Sequence, residues 1–187
     1  MNLRTTFKKL LTRPLRGMEA GADVVIERPH RITNPECIRI GDRSQILRSA
    51  LIAPILVYEG EHFSPRIEIG SDCYFGPNLY MACIHKIIIG DGSVFSEGVY
   101  VNDCNHGMDP EAGLILKQPL FHGGDISIGK SCFVGLRAAI MPGVTLGDHC
   151  IIGVNSVVTK SFPAYSMVGG SPARLLRRYD PDLKTWI

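Results

Sequence analysis

No stretch of the 187 residues stays apolar over the roughly 20 positions that a membrane-spanning helix needs. Residues 1 to 25 carry Arg4, Lys8, Lys9, Arg13 and Arg16 but lack the apolar core of a signal peptide. The six cysteines contain no C-x-x-C pair and no metal-like clustering, so neither a disulfide framework nor a zinc site is expected. Charge of one sign is also scarce. Twenty Lys and Arg stand against eighteen Asp and Glu, a net charge of +2, with no basic stripe interleaved with aromatics. That balance argues against nucleic acid as a partner. These absences lead us to expect a soluble, cytoplasmic protein with reduced thiols and no metal.

What is present is a six-residue period. Hexads starting at Ile128, Val134, Ile140, Leu146, Ile152 and Val158 read I-G-K-S-C-F, V-G-L-R-A-A, I-M-P-G-V-T, L-G-D-H-C-I, I-G-V-N-S-V and V-T-K-S-F-P. Six is neither the 3.6 of a helix nor the 2 of an ordinary strand. It is the period of an all-β solenoid, a parallel β-helix whose triangular coils have three short sides. The first residue of each hexad is read as inward, and the small fifth residue (Cys132, Ala138, Val144, Cys150, Ser156) as a second inward position. Glycine at the second position is read as a corner that needs an unusual φ. Phe162 and Pro163 break the pattern and are read as its end.

Upstream the repeat shows at Ile40-Gly41, Ile69-Gly70, Phe75-Gly76, Ile89-Gly90, Phe95 and Val101. It slips between Met81 and Ile89 and is barely legible from Leu51 to Pro65. Three parts are therefore expected. Residues 1–35 form an N-terminal segment, 36–166 the β-helix with an excursion loop at 107–125, and 167–187 a C-terminal tail. Phe7, Leu10, Leu11 and Leu15 suggest a short amphipathic N-terminal helix. Packing on the end of the solenoid is preferred for it over contact with a membrane surface.

If Val101 points inward, His106 points outward where the excursion departs, a position suited to a cleft. Asn102, Asp103 and Asn105 flank it; an acid there could orient the imidazole and an amide could bind substrate. His122 lies in the excursion and is equally a substrate contact or a plain loop residue. His149 reads as surface, and the direction of His85 is not legible. Cys104 is assigned to packing, because it and His106 are read as facing different ways.

The motifs N-D-C-N-H-G-M-D-P, A-A-I-M-P-G-V-T-L-G-D-H-C-I-I-G-V-N-S-V-V-T-K and V-G-G-S-P-A-R-L-L-R-R-Y-D occur in that order. With them the chain resembles the hexapeptide-repeat acyltransferases, nearest the maltose, galactoside and polysaccharide O-acetyltransferases. The N-H-G form and the ending R-Y-D before Trp186 are more similar to cell-envelope glycan enzymes than to sugar-salvage ones. The resemblance implies a left-handed β-helix and a homotrimer with active sites between subunits. It implies acetyl-CoA as donor, a sugar or glycan acceptor, and His106 as general base in direct transfer. It places Gly135 and Ala138 at the thioester, Thr159 and Lys160 near the pantetheine and adenine, and Arg174 and Arg177 at the phosphates.

Three departures bear on the acceptor and donor. Phe133 stands where the family often has Trp, Gly76 where galactoside enzymes have an acceptor-binding Asn, and no matching acid lies near Ile84. A simple galactoside is therefore not the expected acceptor. An antibiotic or amino sugar is the alternative within the enzyme class. Two readings come from other classes: a γ-type carbonic anhydrase, disfavoured because His85, His106 and His122 lack its paired spacing, and a non-catalytic scaffold.

Overall fold

The computed structural model describes residues 14–187, which are almost entirely β. The chain visits three parallel sheets in rotation. Ile38–Ile40 joins the first sheet, Gln45–Ile46 the second and Leu51–Pro54 the third. The next circuit lays Arg66–Ile69, Tyr74–Phe75 and Tyr80–Cys83 beside them, each parallel to its predecessor. The first and third sheets hold six strands each, one from each coil. This arrangement is that of a parallel β-helix.

The inward positions behave as the hexads require. Ile128, Val134, Ile140, Leu146, Ile152 and Val158 are all at most 1% exposed. In register, Ile128, Val134 and Ile140 stack on Ile89, Phe95 and Val101 of the preceding coil. Burying such a side chain is worth about 1.5–3 kcal/mol, so the stacked columns are the main source of stability. The small fifth residues Cys132, Ala138, Val144, Cys150 and Ser156 are buried as well.

The glycines carry a different role from the one expected. At Gly129, Gly135 and Gly147, in the second position, φ is ordinary. Their need is space: a Cβ on Gly135 would lie 2.8 Å from the Ile152 carbonyl oxygen and the Val154 nitrogen. Left-handed backbone falls instead at the fourth position, at Ser131, Arg137, Gly143, His149 and Asn155 (φ 53°, 53°, 77°, 58° and 53°).

The coiled pairing also runs past both expected bounds. Among the described residues it begins at Glu19–Ala20, paired with Arg39 and Ile40. Phe162 is not its end, because it bridges in parallel to Leu146, and Ser166–Gly170 then pairs with Ile151 and Ile152. The C-terminal tail extends the second sheet, with Ala173–Asp180 antiparallel to Ser166–Gly170 and Thr185–Trp186 beyond. The expected N-terminal helix falls mostly on residues 1–13, outside the described residues; Leu15, the described member of its apolar set, is not helical. Among the described residues no helix is long and apolar enough to cross a membrane.

Two excursions leave the prism at the edge where the third sheet hands over to the first. The hairpin Val57–Tyr58/Glu61–His62 follows Leu51–Pro54. The antiparallel pair Cys104–His106/Leu120–His122 follows Tyr100–Asn102 and brackets the second excursion. The chain re-enters the first sheet at Ile126–Ile128, as the sequence predicts.

Candidate active site

The edge carrying both excursions is fixed by a buried carboxylate. Asp103 is fully buried; one of its oxygens accepts the Ile84 N–H and the other accepts the His85 and Lys86 N–H groups, each at 2.9 Å. The slip between Met81 and Ile89 is thereby explained. Two extra residues widen this corner, and Asp103 of the next coil satisfies the amides they free. Asp103 is consequently a structural group, turned away from His106 and absent from the pocket lining.

Beneath His106 lies a pocket of about 230 Å³. Its floor is the outer face of the third sheet, where Tyr80 and Tyr100 stack with ring centroids 4.9 Å apart and planes inclined by 9°. Asn102 and Asn105 line it, with Ile55 and Tyr58 from the first excursion and Leu120 from the second. The Asn102 amide donates to the Tyr100 hydroxyl at 2.9 Å and also to the Cys104 carbonyl, so it braces the wall. His106 is exposed at the rim, its ring edge-on to Tyr58 at a centroid distance of 5.4 Å. A larger cleft of about 490 Å³ opens against the first sheet near Glu19, Cys37 and Arg39. The Arg39–Glu19 ion pair occupies its polar side, and no imidazole lines it.

Cys104 and His106 do not face different ways. Two residues apart on one strand they share a face, and both line the pocket. The thiol is nonetheless a poor nucleophile: burial, together with the charge of Asp103, pushes it up to about 12. It lies 3.1 Å from the Asn102 Oδ1 and packs with Ile84 and Leu120.

His122 lies elsewhere than the pocket lining. Its Nε2 is 3.1 Å from Asp125 Oδ1, which also lies 2.5 Å from His85 Nδ1, and the two imidazoles are 4.7 Å apart. These three exposed groups are the one gathering with metal-ligand potential among the described residues. As placed, the carboxylate is hydrogen-bonded to His85 and lies within ion-pair distance of His122. The sequence offered no sign of this, since His85 and His122 are 37 positions apart and meet only through the returning strand.

The residues expected at a donor site divide between faces. Tyr100–Asn102 pairs with Ala139–Ile140, and that strand with Val157–Val158, so Thr159 and Lys160 continue the edge on which His106 stands. Both are exposed, about 10 Å down the sheet at two strand spacings. Arg174 and Arg177 are exposed on the strand that extends the second sheet, away from that edge. Ala138 is fully buried in the solenoid core and faces no groove. Gly135 is buried, and its smallness is explained by the backbone above it. Gly76 follows the same rule: a Cβ there would lie 2.7 Å from the Glu97 nitrogen, which excludes an Asn.

Four residues of this site escaped sequence reasoning: Tyr80 and Tyr100 of the floor, Tyr58 and Gln118. Tyr58 sits in the segment whose repeat is illegible. Gln118 is buried at the base of the excursion, where its Nε2 donates to the Asp109 carbonyl at 2.8 Å and its Oε1 accepts the Asp109 N–H at 3.0 Å. It holds the loop closed beside His106.

A β-helix of hexads with a histidine at an aromatic-walled pocket defines a class, and comparison with known proteins agrees. Residues 66–103 and 125–160 match the family described as hexapeptide repeat of succinyl-transferase. It is 25% identical over 145 residues to the Escherichia coli (strain K12) protein provisionally named lipopolysaccharide biosynthesis O-acetyl transferase WbbJ, covering 68% of this chain and 74% of that one. It is 30% identical over 115 residues to the galactoside O-acetyltransferase of the same strain, covering 62% of this chain but only 55% of the relative. Among solved structures, a variant of AntD, an N-acyltransferase from Bacillus cereus in complex with dTDP-4-amino-4,6-dideoxyglucose and coenzyme A, matches with a TM-score of 0.69. That match covers 96% of this chain and 90% of the other at 18% identity, a likeness of fold.

Proposed function

We propose that the protein transfers an acetyl group from acetyl-CoA to a hydroxyl of a sugar or cell-envelope glycan intermediate, with His106 as general base. One observation carries this reading. His106 stands at the rim of a pocket floored by the Tyr80–Tyr100 stack, on the same edge as Thr159 and Lys160. A sugar ring presents apolar C–H faces that pack on aromatic rings, and its hydroxyls are too weakly acidic to attack a thioester unaided. His106 removes the hydroxyl proton as the oxygen attacks the thioester carbonyl. The tetrahedral intermediate collapses with loss of the thiolate, and the imidazolium returns its proton to sulfur. The donor lies along the third sheet from His106 towards Thr159 and Lys160, whose cation suits a phosphate-bearing ligand.

The fold is read as left-handed and the working unit as a homotrimer. Two features support the trimer. Arg174 and Arg177 stand on a different face from His106, so one chain alone leaves them apart from the groove. The second excursion exposes Met108, Leu114, Leu116 and Phe121, between 64% and 76%, an apolar surface suited to a neighbouring copy. A cytoplasmic site of action is supported by six unpaired cysteines, five of them buried.

A second reading, transfer to the amine of an amino sugar, is favoured by the fold shared with AntD, whose complex holds an amino-dideoxy sugar nucleotide. The base and donor groove would be the same. A panel of sugar and amino-sugar acceptors with acetyl-CoA, followed by thiol release, separates the two. Acceptor-dependent release by the wild type, lost in His106→Ala with acetyl-CoA binding retained, supports transfer. Absence of acetyl-CoA binding by the wild type returns the scaffold reading.

A further inference from the structure

The two excursions meet over His106. Glu59 and Gly60 turn the first hairpin with φ of 45° and 86°, the conformation of a tight two-residue hairpin turn, and this presents Tyr58 towards the second excursion. There the Tyr58 hydroxyl donates to the Leu116 carbonyl at 2.9 Å, and Lys117 Nζ lies 3.3 Å from Glu59 Oε1. The same hydroxyl oxygen is 3.3 Å from His106 Nδ1.

A phenol has one hydrogen to donate. The Leu116 carbonyl can only accept, and it lies nearer than the imidazole, so it takes that hydrogen. Toward His106 the phenolic oxygen is left with its lone pairs, and the contact requires Nδ1 to carry a proton. A neutral imidazole has a single N–H, so Nε2 then bears the free lone pair.

We propose that Tyr58 is a positioning residue that holds His106 in its Nδ1–H tautomer and presents Nε2 as the base. The tautomer assignment stands on geometry alone, and its catalytic consequence rests on the transferase reading above. The edge-on packing of the two rings fixes the direction of the imidazole plane, while the Leu116 bond fixes the direction of the hydroxyl. The second excursion therefore acts on the base through Tyr58 without touching it there. Loss of the Leu116 contact would free the phenol to donate to Nδ1, reversing the tautomer and placing a proton on Nε2.

The test is ¹⁵N NMR of histidine-labelled protein well above the ordinary imidazole range, with His106 assigned from the His106→Gln variant. Wild-type His106 should give the pattern of a protonated Nδ1 and an unprotonated Nε2. Tyr58→Phe keeps the ring against the imidazole and removes the acceptor; it should shift His106 towards Nε2–H and leave the other five histidines unchanged. With an acceptor in hand, kcat should fall roughly 3- to 10-fold, the effect of one ordinary hydrogen bond, with KM for acetyl-CoA unmoved. A wild-type His106 already protonated on Nε2, or a tautomer unmoved in Tyr58→Phe, would overturn the assignment. A shifted tautomer with unchanged kcat would overturn its catalytic role. The NMR measurement needs neither donor nor acceptor, so failure of the transferase reading and failure of this assignment are seen separately.

Discussion

Replacing Asp103 by Ala removes one side chain and strands three backbone donors. The N–H groups of Ile84, His85 and Lys86 each lie 2.9 Å from a carboxylate oxygen that is wholly buried. A buried amide left without a partner costs about 1–3 kcal/mol. Ile84 bears that in full, whereas His85 is exposed and Lys86 half-buried, so water can reach part of the corner. The sum is therefore about 3–4 kcal/mol, below the maximum for three lost bonds. At about 2–4 °C per kcal/mol for a chain of this size, Tm should fall by roughly 6–16 °C. Asp103→Asn refines the argument, because an amide turned with its oxygen towards His85 and Lys86 sets its nitrogen against the Ile84 N–H. It should lie between the two, at about 1–3 kcal/mol. Thermal unfolding followed by far-UV circular dichroism measures both. An Asp103→Ala protein melting within about 2 °C of wild type would refute the reasoning, since the three bonds would then carry no net weight.

Other expectations follow from particular groups. Tyr80→Ala or Tyr100→Ala breaks the stacked floor and should raise KM for the acceptor about 3- to 10-fold with kcat little changed, read by steady-state kinetics. Gly147→Ala places a Cβ 2.7 Å from Ala164 Cα and nearer still to its nitrogen, and should cost about 1–3 kcal/mol in a denaturant titration. Thiol labelling at pH 8 should find one slow site in the native protein and six in guanidinium, because Cys37 alone is partly exposed. Burial, aided by Glu36, raises the Cys37 thiol, so thiolate is scarce at pH 8 and labelling should accelerate as pH rises. Fast native labelling of Cys104, which burial holds near about 12, would instead reinstate it as a nucleophile.

The solenoid was legible because its signal is local and repeated. An aliphatic every six residues has one consistent use, and Ile128 to Val158 are buried as read. What the repeat could not reveal is contact between coils. The second-position glycines look like turn residues in one dimension, yet the structure shows them crowded by the backbone of the coil above. Asp103 sat beside His106 in sequence and was read with it. Its true partners are 17 to 20 residues upstream, one coil away. Tyr58 and the His85–His122–Asp125 group were illegible for the same reason: each is assembled by excursions, which carry no repeat. Cys104 was misread on strand geometry, where residues two apart share a face.

The central claim, that His106 is the base of an acyl transfer from acetyl-CoA, is tested most directly by comparing wild type with His106→Asn. Asn keeps polarity and approximate size but cannot take a proton at neutral pH. Acetyl-CoA affinity by calorimetry should be unchanged within about twofold, while acceptor-dependent thiol release should fall about 10²- to 10⁴-fold, the usual contribution of a general base. Equal turnover by the two proteins, with the donor bound to both, would contradict the claim.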